Sequence, residues 1–259
     1  MKVVILCGGA GTRLREETEV RPKPMVEIGE RPILWHIMKI YAHYGYNDFV
    51  LCLGYKGEVI KNYFLNYEFM DNDFTINLET GDTKIPFRRN TVSWRVTLAD
   101  TGLNAMTGAR VKRIERYIDG PEFMLTYGDG VTDLDIRTLV EFHQAHGKIG
   151  TVTGVSPASR YGELRIKGDR VTSFREKPQT QEAFISGGYF VFKREFFDLL
   201  SEEDDCVLER EPLERLAAQG ELMVYTHQGF WQCMDTARDL DFLRTLWSQG
   251  PAPWKIWHE

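Results

Sequence analysis

A glycine-rich turn near the start of the chain has the composition of a phosphate-binding loop. Residues 8–13 read GGAGTR and follow the apolar run 3–7, which is typical of a strand buried in a parallel sheet. Glycines let the backbone approach a ligand closely and direct several N–H groups at phosphate oxygens. It is neither the dinucleotide fingerprint, because Leu14 replaces the required third glycine, nor a Walker A loop. A structural turn is the alternative reading, and the cations nearby favour phosphate binding.

Two basic side chains follow closely. Arg13 ends the turn, and Lys23 stands between Pro22 and Pro24. The prolines stiffen this segment, so Lys23 should point in one direction, which suits the binding of phosphate. A lone lysine is usually a solvated surface charge, so the prediction depends on the loop and both cations together.

Two aspartates are candidates for a divalent cation site. Asp129 lies in YGDG (127–130), after a strongly apolar run, and open α/β sheets bind ligands at the carboxyl ends of their strands. Asp235 lies in FWQCMDT (230–236). Carboxylate oxygens are hard ligands that suit Mg²⁺. The structural alternatives are a turn-forming Asp-Gly for Asp129 and the N-cap of the last helix for Asp235.

A fourth charged segment, REKP (175–178), contains Glu176 and Lys177. Charged clusters in loops are mostly solvated, so Lys177 is a candidate only if the phosphate site needs a further cation. The six histidines are scattered, and we find no Ser/His/Asp or Cys/His arrangement that would indicate nucleophilic catalysis.

The elements that must position these residues follow an α/β pattern. Strands are predicted at 3–7, 49–53, 123–127, 149–155, 189–192 and 222–226, with a hairpin at 163–166 and 171–174. Helices are predicted after Pro32, at 58–67, around 111–118, from an Asp133 cap to His146, from Pro212 to Gly220, and at 237–247. Residues 68–98 alternate weakly and are predicted to form an insertion with a projecting loop. We therefore predict one domain, residues 1–259, with a mixed sheet and a less regular second half.

The composition bounds the classes of function. The 259 residues are 42% hydrophobic and carry a net charge of −6 without a concentrated basic face, which argues against a nucleic-acid partner. The four cysteines lack zinc spacing. Neither a signal peptide nor an apolar run long enough to span a membrane is evident, so we expect a cytoplasmic protein with no membrane partner.

Taken in order, these motifs resemble the sugar-1-phosphate nucleotidyltransferase family. The resemblance covers essentially the whole chain and rests on GGAGTRL, RPKPM, YGDG, EKP and the aspartate near the C-terminus. The segments MTGAR (106–110) and FWQCMDTARD (230–239) point to the branch that uses CTP and glucose 1-phosphate. The family fold is a Rossmann-like, mainly parallel mixed sheet flanked by helices, with a smaller β-rich part that binds the sugar.

The resemblance implies a nucleotide-binding half (1–150), a sugar-phosphate-binding half (151–259), Mg²⁺ and a homo-oligomer. We expect the oligomer contact in the 68–98 segment, and an ordinary surface loop is the alternative reading of that segment. The nucleotide should bind to Leu6, Gly8, Gly9, Gly11, Thr12, Arg13, Lys23, Arg110, Gly128 and Asp129. The sugar phosphate should bind to Tyr161, Gly162, Glu176, Lys177, Gly187 and Gly188. Asp129 and Asp235 should hold Mg²⁺, and the catalytic residues should be Arg13, Lys23, Asp129 and Lys177.

The expected reaction is in-line attack of the sugar phosphate on the α-phosphorus, with release of pyrophosphate and no general base. Catalysis should therefore consist of positioning and charge neutralisation. A preference for UTP or dTTP on the same scaffold and a non-catalytic nucleotide-sugar-binding module remain as alternatives. A dehydrogenase is disfavoured by the missing third glycine.

Overall fold

The computed structural model describes residues 1–88, 92–156, 163–167, 170–175 and 184–257. The strands, in chain order, are β1 (Lys2–Leu6), β2 (Glu27–Ile28), β3 (Arg31–Pro32), β4 (Asp48–Leu53), β5 (Thr75–Ile76), β6 (Thr83–Lys84), β7 (Arg95–Asp100), β8 (Glu122–Tyr127), β9 (Gly130–Thr132), β10 (Gly150–Val155), β11 (Glu163–Lys167), β12 (Arg170–Arg175), β13 (Ile185–Lys193), β14 (Leu222–His227) and β15 (Trp231–Cys233). The helices are α1 (Arg15–Thr18), α2 (Ile33–His43), α3 (Gly57–Leu65), α4 (Tyr67–Asp71), α5 (Thr107–Arg113), α6 (Ile136–His146), α7 (Glu211–Ala218) and α8 (Ala237–Ser248).

A mixed central sheet organises the molecule. Its strand order is β14-β10-β13-β8-β1-β4-β7, and β13 runs antiparallel to both of its neighbours while the other pairs are parallel. The predicted mixed, mainly parallel sheet is confirmed. Strands from the second half of the chain, β10, β13 and β14, lie in the same sheet as β1.

The order of the strands reverses next to β1, and this reversal locates the site. After β1 the chain adds β4 and then β7 on one side, and β8 returns to the other side of β1. The loops that leave β1 and β8 therefore begin side by side at the carboxyl edge of the sheet, because these two strands are parallel. Such a switch point is where open α/β sheets bind their ligands.

Apolar layers cover both faces of the sheet. In β1, Val3 and Ile5 pack into a core that includes residues of α2, α6 and α8, while Val4 and Leu6 pack into a second core with residues of α5 and α7. The continuous apolar run that predicted a strand buried on both faces is explained by these two layers.

Three predicted helices differ from the structure in their bounds. The helix predicted at 58–67 is divided into α3 and α4, and the one predicted around 111–118 is α5 followed by a 3₁₀ turn at Glu115–Tyr117. The prediction that Asp133 caps the helix ending at His146 was wrong. Asp135 caps this helix, α6, and its side chain accepts hydrogen bonds from the backbone N–H groups of Arg137 and Thr138. Asp133 instead lies 2.9 Å from His227 Nε2.

The 68–98 segment contains most of α4, the short ribbon β5–β6 and the beginning of β7. Strand β7 pairs with β4 along its whole length, so the last residues of the segment belong to the central sheet. Among the described residues, no helix combines the length and apolar character needed to cross a membrane.

Candidate active site

A pocket of about 310 Å³ opens at the switch point between β1 and β8. The residues that line it come from the glycine-rich loop, the Lys23 segment, the end of β8 and the segment before α8. They are Leu6, Gly9, Gly11, Thr12, Arg13, Lys23, Pro24, Tyr127, Gly128, Asp129 and Asp235. The structure thus brings together most of the predicted nucleotide-binding residues and both predicted metal ligands.

Lys23 lies between the two aspartates. Its Nζ is 2.6 Å from Asp129 Oδ2 and 2.6 Å from Asp235 Oδ1. Burial lowers the pKa of Lys23, but the two carboxylates outweigh this effect and raise it above its usual value. Burial raises the pKa of Asp235, but the hydrogen bond and charge of Lys23, together with Cys233 and Arg13, outweigh this effect and lower the pKa below its usual value. Lys23 and Asp235 are therefore both charged at neutral pH.

A small two-stranded ladder places the carboxylates beside each other. Strand β9 directly follows Asp129 and pairs antiparallel with β15, which ends just before Met234. The Met234 N–H also donates to the Asp129 carbonyl at 2.8 Å. Thr236, not Asp235, caps α8, so the Asp235 side chain is available to the pocket. The alternative reading of Asp235 as a helix cap was wrong.

Arg13 brings a second cation to the same group. Its Nη1 is 3.5 Å from Asp235 Oδ2, and its side chain is 75% exposed. An exposed ion pair of this length contributes little to stability. The guanidinium is thus able to move toward an anionic ligand at small cost.

The glycine-rich loop is shaped by close contacts. Gly11 has φ +62, and a Cβ there would lie 2.8 Å from Thr18 Cγ2. The Thr18 hydroxyl lies 3.1 Å from the Gly11 carbonyl and 3.0 Å from that of Leu14. The loop is therefore held against α1, and glycine is required at position 11 by both the dihedral angle and the available space.

Arg110 does not line the pocket but lies beneath the loop. Its guanidinium is buried and donates to the carbonyl groups of Gly8 (3.1 Å), Leu53 (3.0 Å) and Gly102 (2.7 Å). Burial lowers the pKa of Arg110. In this arrangement Arg110 supports the backbone of the loop, and its predicted contact with the nucleotide stays a prediction.

Gly187 and Gly188, which were predicted to bind the sugar phosphate, lie on β13 next to the pocket. Gly188 has φ +76, and a Cβ there would meet the Tyr127 ring at 2.6 Å. The indole N–H of Trp231 donates to the Gly187 carbonyl at 2.7 Å. The other predicted sugar-phosphate residues, Tyr161, Gly162, Glu176 and Lys177, lie outside the described residues.

Three residues at or near the pocket were not predicted. Pro24 and Tyr127 line the pocket. They lie inside the motifs RPKPM and YGDG, so the predicted residues beside them were the signal that could have identified them. Glu209 contacts Tyr127 from a distant part of the chain, and no sequence pattern connects the two.

The residues present suit Mg²⁺. The two carboxylate oxygens reach one and the same nitrogen, so a small cation at that point would be within reach of both. No group of three or more His, Cys, Asp or Glu side chains suited to a metal occurs in the part of the chain that the structure describes. Two carboxylates are enough for Mg²⁺, which is usually held by one or two of them together with substrate phosphates.

Comparison with known proteins identifies the family of this chain. Residues 2–240 match the model of the nucleotidyl transferase family, and the chain belongs to that family; it is a nucleotidyltransferase. It is 52% identical over 258 residues to the glucose-1-phosphate cytidylyltransferase of Salmonella typhimurium, an alignment that covers 99% of this chain and 100% of the relative. It is 44% identical over 257 residues to the probable glucose-1-phosphate cytidylyltransferase of Bacillus subtilis, with 99% and 100% coverage.

Solved structures agree with the fold. HddC from Yersinia pseudotuberculosis complexed with GMP-PN superposes with a TM-score of 0.68 at 24% identity, covering 94% of this chain and 98% of the other. UDP-glucose pyrophosphorylase complexed with UDP-glucose gives 0.67 at 16% identity, with 96% and 98% coverage.

Proposed function

We propose that this protein joins CTP and α-D-glucose 1-phosphate to give CDP-glucose and pyrophosphate. The observation that carries the proposal is the group of Lys23, Asp129 and Asp235 beside a glycine-rich loop at the switch point of the sheet. The choice of CTP and glucose 1-phosphate rests on the relatives that share 52% and 44% identity along the whole chain.

The reaction needs little acid–base chemistry. An oxygen of the sugar phosphate is already anionic near neutral pH, so it can attack the α-phosphorus of CTP directly. One P–O bond forms, and the bond between the α-phosphorus and the bridging oxygen breaks, with its electron pair leaving on pyrophosphate. The main obstacle is the repulsion between two polyanions, and catalysis depends on positioning and charge neutralisation.

The residues of this chain supply that neutralisation. Lys23 and Arg13 are cations that line the pocket, and the glycine-rich loop offers backbone N–H groups to the phosphates. Asp129 and Asp235 would hold Mg²⁺, which when bound supplies positive charge to the phosphate oxygens. Lys177 is proposed to direct the sugar phosphate.

The reaction is tested by pyrophosphate release with Mg²⁺ and glucose 1-phosphate, run in parallel with CTP, UTP, dTTP and ATP. We expect release with CTP well above that with the other nucleotides. Release with UTP or dTTP instead would be consistent with the proposed mechanism but would overturn the assignment of CTP as the nucleotide. Tight nucleotide binding without pyrophosphate release from any nucleotide would favour a non-catalytic binding module.

We also propose that the protein acts in the cytoplasm as a homo-oligomer and supplies CDP-glucose for polysaccharide biosynthesis. The segment 65–87 carries strongly exposed apolar side chains: Leu65 at 72%, Met70 at 78%, Leu78 at 88% and Phe87 at 81%. Apolar side chains grouped in this way mark interaction sites, and a second copy of this chain is the proposed partner.

Light scattering coupled to size exclusion tests the assembly. The protein should elute as an oligomer, and Leu78→Glu with Phe87→Glu should lower its mass. Phe242→Glu, which changes an exposed apolar side chain on α8, is the matched control and should leave the mass unchanged. A monomeric wild-type protein would contradict the proposal.

A further inference from the structure

Glu209 joins the pocket wall to a helix that lies outside the pocket. One carboxylate oxygen, Oε1, accepts a short hydrogen bond from the Tyr127 hydroxyl. The other, Oε2, accepts a hydrogen bond of 2.6 Å from the Thr107 hydroxyl. Thr107 is the first residue of α5, and Tyr127 is the last residue of β8. A single carboxylate therefore connects two elements that are separate in the sequence.

The Thr107 end of this connection is firmly held. The Thr107 hydroxyl accepts a hydrogen bond from the Leu208 N–H at 3.0 Å, and the Cys206 carbonyl accepts one from Gly108 N–H at 2.9 Å. A Cβ on Gly108 would lie 2.6 Å from Cys206 Sγ, so the segment that leads to Glu209 packs directly on the start of α5. The backbone that leads to Glu209 is thus held in place, which limits where the Glu209 carboxylate can lie.

The Tyr127 end lies at the reaction site. The Tyr127 ring packs against Gly188, where any side chain would collide with it, and residue 127 directly precedes Gly128 and Asp129 of the pocket. Burial and the adjacent Glu209 carboxylate raise the pKa of the Tyr127 phenol, which therefore stays protonated and keeps donating its hydrogen bond. The position of this ring sets the shape of the pocket beside β13.

We propose that Glu209 is a positioning residue for the sugar phosphate: it holds the Tyr127 hydroxyl and so fixes the ring that forms the pocket wall next to Gly188. Glu209 acts through hydrogen bonding and not through its charge, since both of its oxygens are used by hydroxyl groups. The inference rests on the proposed function, because it assigns the Gly188 side of the pocket to the sugar phosphate.

Steady-state kinetics with saturating CTP and varied glucose 1-phosphate test this role. Tyr127→Phe and Glu209→Ala should each raise KM for glucose 1-phosphate about five- to tenfold, the effect expected for the loss of one hydrogen bond, with a smaller change in kcat. The double variant should be no worse than Glu209→Ala, because the loss of Glu209 already removes the hydrogen bond that Tyr127→Phe would remove. Glu209→Gln should stay near the wild type, since its amide oxygen still accepts from Tyr127.

Glu211→Ala, an exposed glutamate at the start of α7, is the matched control and should leave both constants unchanged. Additive effects in the double variant, unchanged KM in the single variants, or a Glu209→Gln variant as impaired as Glu209→Ala would each overturn the inference. An inactive wild-type enzyme would instead overturn the proposed function. If Glu209→Ala does not fold, Tyr127→Phe decides alone, because it removes only the hydroxyl group.

Discussion

Arg110 and Gly8 form a contact that fixes the position of the glycine-rich loop relative to the buried guanidinium behind it. Arg110 Nη2 donates to the Gly8 carbonyl at 3.1 Å, and a Cβ on residue 8 would lie only 2.2 Å from Arg110 Nη1. Gly8 is therefore required by the buried guanidinium behind the loop. The arginine cannot simply move aside, because Leu53 and Gly102 also hold it through their carbonyl groups.

Gly8→Ala should consequently destabilise the protein. We expect the free energy of unfolding to fall by about 1–3 kcal/mol, the usual range for overpacking a well-filled interior. Gly9→Ala is the control, since a Cβ at that exposed position meets nothing within 4 Å. Its stability should stay within about 0.5 kcal/mol of the wild type. Urea unfolding measures both, and an equal loss in the two variants would rule out the contact with Arg110 as the cause.

Lys23→Met and Asp129→Asn should each reduce turnover about a hundred- to a thousandfold, the usual effect of losing one preorganised charged or donor group at a reaction centre. Lys61→Met changes a lysine of α3 that does not line the pocket, and it should leave turnover unchanged. Pyrophosphate release gives the rates, and circular dichroism shows whether each variant is folded. Normal turnover in a folded Lys23→Met protein would refute the role of Lys23.

His36 should make stability fall on acidification. Its Nδ1 accepts from the Trp254 indole N–H at 3.4 Å, so the proton is on Nε2, which donates to the Ile28 carbonyl at 2.9 Å. Burial lowers the pKa of His36 to about 4. The unfolded chain binds this proton near its ordinary pKa of about 6.5, so the neutral folded form loses stability as the pH falls from 6.5 toward 4.

The loss attributable to His36 should reach up to about 3 kcal/mol, since each unit of pKa shift corresponds to about 1.4 kcal/mol. We would measure the free energy of unfolding of the wild type and of His36→Gln at pH 7.5 and at pH 4.5. Comparing the two proteins separates the loss due to His36 from the titration of other groups. The glutamine does not titrate, so the advantage of the wild type should shrink at the lower pH. A difference that does not change with pH would contradict this assignment.

Thr236 should stabilise the helix that follows Asp235. Its side chain accepts from the Asp239 N–H, and the Asp239 carboxylate accepts from the Thr236 N–H at 2.9 Å, which together form a capping box. Thr236→Ala should lower the free energy of unfolding by about 1 kcal/mol. Thr245→Ala, an exposed position within the same helix, should cost much less because it removes no cap. Equal effects in urea unfolding would contradict the cap.

The sequence predicted those elements whose signal is local. Continuous apolar runs located β1, β4 and β8, because strands buried on both faces contain few polar residues. The motifs GGAGTR and YGDG located the pocket, since each directly follows such a strand. The capping box of α8 was also visible in the sequence as Thr236 and Asp239, and it would have excluded Asp235 as the cap.

Contacts between distant residues could not be predicted in the same way. Nothing local shows that β13 runs antiparallel between β8 and β10, because strand direction follows from the path of the chain between elements. Likewise the carboxylate of Glu209 and the guanidinium of Arg110 take their roles from the groups that the fold brings to them. Glu209 reads as an ordinary charged residue in the sequence, and for Arg110 the resemblance implied a nucleotide contact but not the support of the loop.

The most direct test of the proposed reaction follows the oxygen atoms of glucose 1-phosphate. The phosphate is labelled with ¹⁸O, and the reaction with CTP and Mg²⁺ is followed by ³¹P nuclear magnetic resonance. Direct attack on the α-phosphorus predicts CDP-glucose and pyrophosphate in equal amounts, with the label in CDP-glucose and none in pyrophosphate. Label in pyrophosphate, or pyrophosphate formed without CDP-glucose, would contradict the account.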